Sequence, residues 1–546
     1  MIAIHLDGVT VTYVDTPIFA DLSWDVHDDR CVGLVGANGS GKSTLLKLMA
    51  GELTTESGFL TFSPDLRVGY LPQEPQLDGK STLFQEVFAA STDLARIEAE
   101  MARVETELAD PAVYGDEKRL NRKLARQAAL LEQFMAMGGP GYESRVRGVL
   151  ISLGFAPEDF DLPVAALSGG QKKLAGLARL LVQRPHILLL DEPDNHLDMA
   201  GKAFLEQFIR NFKGGVVLVS HDRYLLDVVV DEIAEIEDGK LSRYAGTYSE
   251  FAYDKQMRLQ RQAQMFRIQQ REIGRLEQAA QRLLTWGRAH DNEKLIKQGK
   301  AILKRIDRID RIEKPILERK KMGLELKGWR GSKKVLAITD LDKVFGQGDE
   351  EKIVLAGLNL LLFHGDRAGL VGANGAGKSV LFRLILGQEE PTGGTIKLGP
   401  SVSMGYYAQE HETLDYEQTP LDAVRHAAAM SESAAMSFLG KFLFSYNQAR
   451  GRIGNLSGGE RSRLQMALLM LSGANFLLLD EPTNNLDIAS AEVLEAALAE
   501  FEGAVLVISH DRYFLDRVAT RIILLADGAT TDFAGNYSDF VAASST

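Results

Sequence analysis

The chain has 546 residues, a formal net charge of −13 and a single cysteine. A chain of this length exceeds what one hydrophobic core supports, so we expect several domains. The single cysteine, Cys31, excludes internal disulfides, cysteine zinc sites and iron–sulfur clusters. The N-terminus shows no signal peptide, and the longest uncharged run, residues 464–479, is too short and too polar for a membrane span. These features favour a cytoplasmic protein.

The charge is distributed unevenly. Residues 251–330 contain 21 Lys and Arg against 10 Asp and Glu, a net charge of +11, and the rest of the chain therefore carries −24. The total charge alone argues against a nucleic-acid partner. A basic insert in an acidic body instead favours a local contact with nucleic acid.

Internal repeats divide the chain into two similar halves. A glycine loop of the form G-x-x-x-x-G-K-S carries Lys42 in the first copy and Lys378 in the second, 336 residues apart. Later motifs, L-S-G-G, D-E-P and S-H-D-R-Y, recur 289 residues apart. The difference of 47 residues indicates an insertion in the first copy, between Gln73 and Ser168.

Each glycine loop follows an apolar run of strand length and precedes a helical pattern. This order predicts a phosphate cradle, because glycines let backbone N–H groups converge and the helix N-terminus adds positive potential. We expect Lys42 and Lys378 to reach the β- and γ-phosphates of ATP, and Ser43 and Ser379 to ligate Mg²⁺. The loop residues expected to bind nucleotide are Gly36, Ala37, Asn38, Gly39, Ser40, Gly41, Lys42, Ser43 and Thr44, and Gly372, Ala373, Asn374, Gly375, Ala376, Gly377, Lys378 and Ser379.

In each copy an apolar run of strand length ends in two carboxylates. A continuously apolar strand is typical of a parallel sheet that is buried on both faces. We expect Asp191 and Asp480 to hold Mg²⁺ through water. Glu192 and Glu481 would polarise the attacking water as general bases.

Three further pairs of candidates recur in the two copies. Histidines at strand ends would contact the γ-phosphate, glutamines would sense Mg²⁺ and the attacking water, and aromatic rings would stack on adenine. These residues are His221 and His510, Gln73 and Gln409, and Tyr13 and Phe345.

The ordered motif set resembles the ATP-binding-cassette ATPases, of which L-S-G-G is the signature. The resemblance implies a head-to-tail pair of domains, with each nucleotide held between the phosphate loop of one copy and the signature of the other. ATP would close the pair and hydrolysis would release it. Asp194 departs from the family pattern, which usually has Thr there. The signature residues are Ser168, Gly169 and Gly170, and Ser457, Gly458 and Gly459.

The expected fold class is α/β, with two ABC-type P-loop ATPase domains. We expect the first domain at residues 1–250, a helical hairpin arm inserted at about 82–142, a basic two-helix linker at 251–330 and the second domain at 331–546. The arm is predicted as helices at 94–105 and 117–137; its basic residues indicate either a solvated face or RNA contact. The linker is predicted as a helix to about Leu284, a break at 286–292, and a helix from 293 to 314. The linker is either a solvated spacer or an RNA-binding hairpin, and its net positive charge favours RNA binding.

Two cassettes, an arm and a basic linker, with no membrane domain, resemble the ABC-F family. That resemblance implies an ATP-hydrolysing translation factor bound near the ribosomal E site, contacting 23S rRNA. The linker would point toward P-site tRNA and the peptidyl-transferase centre, and the arm toward the L1 stalk. Members tune elongation, relieve stalling or protect ribosomes from antibiotics. The alternatives are an ATPase acting on DNA and the energising subunit of a membrane transporter.

Overall fold

The computed structural model describes residues 1–13, 16–109, 117–290, 292–309, 323–326, 331–346, 351–408 and 413–544. The chain divides into two compact units. The larger unit, Met1–Thr247 with Met322–Thr546, holds both copies of the repeat, named here the first cassette (residues 1–247) and the second cassette (322–546). The smaller unit, Tyr248–Lys321, is named the hairpin.

The first cassette contains a three-stranded antiparallel sheet and a six-stranded sheet. The six strands follow the order β5-β6-β7-β3-β8-β9, parallel except for the last pair. Strands β6 and β7 are buried at every residue, as expected for parallel strands covered on both faces. The strands are β1 Ile2–Tyr13, β2 Thr16–His27, β3 Cys31–Gly36, β4 Ser57–Phe62, β5 Val68–Leu71, β6 Ile187–Asp191, β7 Gly215–Val219, β8 Glu232–Glu237 and β9 Lys240–Ala245.

The helices of the first cassette flank the six-stranded sheet or form the inserted arm. Their bounds are α1 Lys42–Met49, α2 Leu83–Phe88, α3 Thr92–Leu108, α4 Glu117–Ala136, α5 Gly139–Ser152, α6 Gly169–Val182, α7 Met199–Asn211 and α8 Arg223–Val229, with single 3-10 turns at Pro157–Asp159 and Val164–Ala166.

The second cassette repeats this architecture. Its six-stranded sheet has the order β14-β15-β16-β12-β17-β18, and its three-stranded sheet the order β11-β10-β13. The strands are β10 Lys334–Phe345, β11 Lys352–Phe363, β12 Arg367–Val371, β13 Gly393–Leu398, β14 Met404–Tyr407, β15 Phe476–Asp480, β16 Ala504–Ile508, β17 Arg521–Ala526 and β18 Ala529–Ala534. The two halves share one sheet topology, so the expected α/β class with two P-loop domains is confirmed.

The hairpin comprises α9 Tyr248–Ala289 and α10 Glu293–Ile306. The helices of the second cassette follow the hairpin. They are α11 Lys378–Ile385, α12 Pro420–Ala427, α13 Glu432–Lys441, α14 Tyr446–Arg450, α15 Gly458–Leu471, α16 Ile488–Ala499, α17 Arg512–Val518 and α18 Tyr537–Ser544, with a 3-10 turn at Ile453–Asn455.

The inserted arm is a pair of helices, α3 and α4, as the sequence predicts. Ile97 and Val104 of α3 pack with Leu130 of α4 in a small apolar cluster of their own. Two arm cations pair within the arm: Lys123 with Glu107, and Arg126 with Glu100. The arm therefore neutralises part of its own basic surface. The predicted turn at residues 110–111 lies outside the described residues.

The predicted break in the hairpin at residues 286–292 is wrong at its start, because α9 continues to Ala289. Gly287 packs against α10: a Cβ there would lie 2.7 Å from Cγ1 of Ile296. The glycine permits close approach of two helices and does not end the first. Helix α10 ends at Ile306 and the described chain ends at residue 309, so the predicted continuation to 314 lies outside the described residues.

Among the described residues, no helix combines the length and apolar character needed to cross a membrane. Helix α9, with 42 residues, is about 60 Å long at 1.5 Å per residue. Many charged side chains are exposed along the helix, and its buried residues are Phe251, Ala263, Ile273, Ala280 and Gly287.

Candidate functional site: two composite nucleotide sites

The phosphate loop of each cassette joins a buried strand to a helix. Strand β3 ends at Gly36 and α1 begins at Lys42; β12 and α11 flank the second loop in the same way. Gly41 has φ +99°, and a Cβ there would collide with Ile18 and Phe19. Glycine is therefore required for both the backbone conformation and the space.

The loop lysines are buried and folded inside their own loops. Nζ of Lys42 donates to the carbonyls of Gly36 at 2.9 Å and Ala37 at 3.1 Å. Nζ of Lys378 donates to the corresponding two carbonyls at 2.7 and 3.0 Å. Burial lowers the pKa of both lysines, although neighbouring carboxylates, Glu192 and Glu481 foremost, oppose the shift. Each ammonium is thus held against two backbone carbonyls of its own loop.

The buried carboxylate at the end of β6 has the chemistry of a Mg²⁺ ligand. Asp191 is 1 % exposed, and its Oδ1 has no hydrogen-bond partner among the described residues. Burial raises the pKa of Asp191, and the hydroxyl of Ser43 opposes that shift. An unsatisfied carboxylate oxygen beside a hydroxyl fits a hard divalent cation. Ser43 with Asp191, and Ser379 with Asp480 in the second cassette, are the residues that could hold Mg²⁺.

The candidate base of the first cassette is heavily hydrogen-bonded. Oε2 of Glu192 accepts from Nε2 of Gln73 at 2.8 Å and from Nδ2 of Asn195 at 2.5 Å. Nε2 of His221 lies 3.4 Å from Oε1. Burial favours the neutral acid, but His221 and the ammonium groups of Lys173 and Lys42 hold the pKa of Glu192 below its usual range. Glu192 is therefore ionised at neutral pH.

Among the residues that the structure describes, the candidate base of the second cassette has fewer partners than Glu192. Oε2 of Glu481 accepts from the backbone N–H of His510 at 3.2 Å, and Nε2 of His510 lies 3.5 Å from Oε1. Burial, then the charge of Asp480, raises the pKa of Glu481 to about 8. Burial lowers the pKa of His510 to about 3. The contact between these two side chains is therefore not an ion pair at neutral pH.

Both candidate bases adopt left-handed backbone conformations, with φ of +49° at Glu192 and +48° at Glu481. Such conformations cost about 1–3 kcal/mol for residues other than glycine and concentrate at functional sites. The N–H of Glu192 is anchored to the carbonyl of Val219, and that of Glu481 to Ile508, each at 2.9 Å. The adjacent strands hold the strained turns in place.

Each phosphate loop touches the other cassette. Asn38 donates its backbone N–H to Oδ2 of Asp487 at 3.3 Å and its side-chain amide to the carbonyl of Asn485 at 3.1 Å. Asn374 makes the matching contacts, to Oδ2 of Asp198 at 3.2 Å and to the carbonyl of His196 at 3.3 Å. The sequence analysis did not predict these partners. The Leu-Asp pair that ends in Asp198 recurs at the repeat offset of 289, where it ends in Asp487, and this recurrence was a usable signal.

The signature motifs face the loops of the opposite cassette. Ser168, Gly169 and Gly170 line a cavity of about 730 Å³ together with Lys378, Ser379, Glu481 and His510. In the other pairing, a Cβ on Gly459 would lie 2.9 Å from Nδ2 of Asn38. The structure thus brings together residues that lie far apart in the chain, in the head-to-tail arrangement that the resemblance implies.

Each signature serine caps the N-terminus of a helix, and this N-terminus adds positive potential to the site. Oγ of Ser168 accepts from the N–H of Gln171 at 3.2 Å, and the Gln171 side chain accepts from the N–H of Ser168 at 3.0 Å. Ser457 and Glu460 form the same capping box. Both helices, α6 and α15, therefore direct their N-termini toward the opposing phosphate loop, where an anion is favoured.

Two of the four aromatic and glutamine candidates line the cavities, and the structure does not describe the other two side chains. Phe345, 38 % exposed, lines the 730 Å³ cavity with Lys352 and Val354. Gln73 lies with Ser43 and Asp191 along a second cavity of about 680 Å³. Outside the described residues lie the side chain of Tyr13 and the whole of Gln409, so their roles stay predictions.

Sequence comparison identifies the family. A family profile described as "ABC transporter" matches residues 19–195 and 355–484, and a second profile of that description matches 234–326. The "Energy-dependent translational throttle protein EttA" of Escherichia coli K12 is 36 % identical over 532 residues, covering 96 % of this chain and 92 % of that protein. "ABC transporter F family member 5" of Arabidopsis thaliana is 32 % identical, covering 98 % and 77 %. The chain belongs to the ABC-F family.

Two further comparisons give one similar sequence and one similar fold. The "Putative ATP-binding protein YdiF" of Bacillus subtilis is 35 % identical over 539 residues, covering 98 % of this chain and 82 % of that protein. A solved "RNase-L Inhibitor" shares the fold, with a TM-score of 0.59 at 19 % identity, covering 98 % and 93 % of the two chains. As an ABC-F protein with two cassettes, the chain is a nucleotide-binding ATPase.

Proposed function

We propose that this ABC-F ATPase is a ribosome-binding translation factor whose hairpin contacts ribosomal RNA and tRNA. The observation that carries the proposal is the exposed cationic surface along both hairpin helices. The name of the relative EttA, a translational throttle protein, agrees with this function. The exposed basic residues are Arg258, Arg261, Arg267, Arg271, Arg275, Arg282 and Arg288 on α9, and Lys294, Lys297, Lys300, Lys304, Arg305 and Arg308 on α10 or just after it.

The geometry of the hairpin suits a crowded, phosphate-rich partner. Its helices pack closely through glycine: a Cβ on Gly299 would lie 2.8 Å from Cγ of Leu284. Near the turn between the helices, Trp286 is 67 % exposed, and its ring centroid lies 5.6 Å from that of His290. Cationic side chains neutralise phosphates, while an exposed aromatic ring stacks on an unpaired base.

ATP would drive the attachment through the two composite sites. We assign Lys42 and Lys378 to the β- and γ-phosphates and the facing signature motifs to the γ-phosphate. Glu192 would take up a proton from the attacking water, and Glu481 would do the same once it has lost its own proton. The adjacent His and Gln side chains would orient the water. Mg²⁺, when bound, would offset the negative charge that gathers on the phosphates. ATP bound across the interface favours closure, because the signature contacts exist only when the cassettes meet.

The basic surfaces of the hairpin and the arm support more specific assignments on the ribosome. The hairpin, which is the linker of the sequence analysis, would reach toward P-site tRNA and the peptidyl-transferase centre. There it would modulate elongation or relieve stalling. Antibiotic protection would be a variant of that action. The arm would contact the L1 stalk side. The arm keeps Arg122 exposed, whereas Lys123 and Arg126 are paired within the arm. The proposal places the protein in the cytoplasm, where ribosomes work.

A trapping experiment tests the proposal. With ATP present, the variant Glu192→Gln with Glu481→Gln should sediment with ribosomes, because it binds but does not hydrolyse the nucleotide. Recovery of this variant only in the ribosome-free fraction would contradict a ribosomal role. Stimulation by DNA of ATP hydrolysis in the unaltered protein would instead favour the alternative of an ATPase acting on DNA.

Neutralising basic residues of the hairpin tests whether its exposed cationic surface binds the ribosome. Replacing Arg261, Arg271, Lys294 and Lys300 by Gln in the trapped variant should abolish co-sedimentation at physiological salt. The matched control replaces four exposed basic residues of the first cassette by Gln and should sediment as before. These control positions are Lys80, Arg210, Lys213 and Lys240. Equal binding by both variants would remove the hairpin from the proposal.

A further inference from the structure

A buried lysine crosses from the first cassette to the second. Lys202 lies on α7 and is 9 % exposed. Its Nζ donates to Oδ2 of Asp222 at 2.8 Å and to the backbone carbonyl of His510 at 2.9 Å. His510 is 308 residues away, in the other cassette and beside the candidate base of the second composite site, which is built on Lys378. One ammonium therefore ties the two cassettes together at a nucleotide site.

Carboxylates of both cassettes compensate the buried charge of Lys202. Asp222 and Asp194 belong to the first cassette and Asp511 to the second, and all three raise the pKa of Lys202 against the effect of burial. Asp194 is 5 % exposed, and its Oδ1 has no hydrogen-bond partner among the described residues. Lys202 is thus a persistent cation that shares a buried cluster with Asp194, two residues after Glu192.

The cluster occurs on one side only. At the repeat offset of 289, Lys202 and Asp194 correspond to Ala491 and Thr483. The His221 main chain of the first composite site, built on Lys42, therefore has no equivalent lysine from the second cassette. Asp194, which departs from the usual Thr, interacts with Lys202: burial raises the pKa of Asp194, and the charge of Lys202 opposes that shift.

We propose that Lys202 is a positioning residue for the second composite site and links it to the turn that carries Glu192 in the first. Lys202 holds the carbonyl of His510, and the N–H of His510 holds Oε2 of Glu481 at 3.2 Å. The lysine thereby fixes the backbone of His510, the residue whose N–H orients the candidate base. The inference rests on the proposed roles of Glu481 and His510, not on the ribosome.

Site-resolved kinetics test the proposal. The double variant Lys202→Ala with Asp194→Thr gives the first cassette the residues of the second and leaves no unpaired buried lysine. In the Glu192→Gln background, where only the second site hydrolyses ATP, this change should lower kcat about fivefold and alter the KM for ATP less than about twofold. In the Glu481→Gln background, where only the first site works, kcat should fall less, because Glu192 keeps Gln73 and His221 as its own partners. Equal losses at both sites, or no loss at either, would overturn the proposal.

Hydrogen exchange gives a readout that does not depend on activity. In the nucleotide-free double variant, amides at residues 508–512 should exchange faster than in the parent, and those at residues 219–223 should also exchange faster, because Lys202 pairs with Asp222 there. Lys213→Ala, which removes an exposed lysine of the same cassette, is the control and should leave both segments unchanged. Unchanged exchange at 508–512 would show that Lys202 does not position His510. Neither assay contains ribosomes, so failure here leaves the ribosomal proposal standing.

Discussion

Arg223 of the first cassette forms a buried ion pair with Glu495 of the second. The relationship recurs under the internal repeat, where Arg512 of the second cassette pairs with Glu206 of the first at 2.8 Å. Each arginine also lies over a tyrosine of the opposite cassette, at 4.0 Å for Arg223 over Tyr513 and 4.6 Å in the matching pair. Because both pairs cross the interface, they report directly on cassette closure.

Arg223→Met should weaken closure of the cassettes by about 3 kcal/mol, because Glu495 would be left buried without its cation. The measurement is the ATP dependence of fluorescence transfer between dyes on the two cassettes. Arg512→Met is the matched comparison and should cost less, since its pair is more exposed, with side-chain exposures of 11 % and 14 % against 4 % and 9 %. An equal effect of the two variants would contradict the role assigned to burial.

Glu481 should make the nucleotide-free protein less stable as pH rises from about 4.5 to about 8. Between these values the unfolded chain has lost the Glu481 proton and the folded chain retains it, because burial raises the pKa to about 8. The folded state then binds more protons, so the free energy of unfolding falls with pH. Glu481→Gln should flatten this slope in denaturant titrations, whereas Glu192→Gln should not, since the pKa of Glu192 is lowered.

Gly41→Ala should destabilise the first cassette by more than about 2 kcal/mol, because it adds collisions with Ile18 and Phe19 to the strain of a left-handed backbone. Gly39→Ala is the control. It has φ +79° with no neighbouring atom within 4 Å among the described residues, so only backbone strain of about 1 kcal/mol applies. Denaturant unfolding of the nucleotide-free protein measures both. Equal losses would show that the space at Gly41 is not limiting.

Gly287→Ala should separate the hairpin helices, costing about 1–3 kcal/mol through overpacking against Ile296. Gly274→Ala, on the same helix with no neighbouring atom within 4 Å among the described residues, should instead stabilise α9 by about 1 kcal/mol. Hydrogen exchange across α9 and α10 distinguishes the two outcomes. Slower exchange in both variants would mean that helix propensity, and not packing, governs this segment.

The motifs that depend on local chemistry were readable from the sequence. The loop around Lys42 lies between β3 and α1, and Asp191 and Glu192 stand at the end of a buried strand, as their patterns predict. These features are local, since a glycine conformation or an apolar run is set by neighbouring residues. Gly287 shows where this reasoning fails, because a glycine that breaks an isolated helix is also the residue that lets two helices meet.

The sequence by itself determined the duplicated cassettes, the phosphate loops, the signatures and the basic charge of the hairpin, because each is written in adjacent residues or in a repeat offset. Only the tertiary structure decided that Lys202 reaches the carbonyl of His510 and that Glu192 and Glu481 differ in pKa. The physical reason is that burial and hydrogen bonding depend on groups up to hundreds of residues away, so two similar motifs acquire different chemistry.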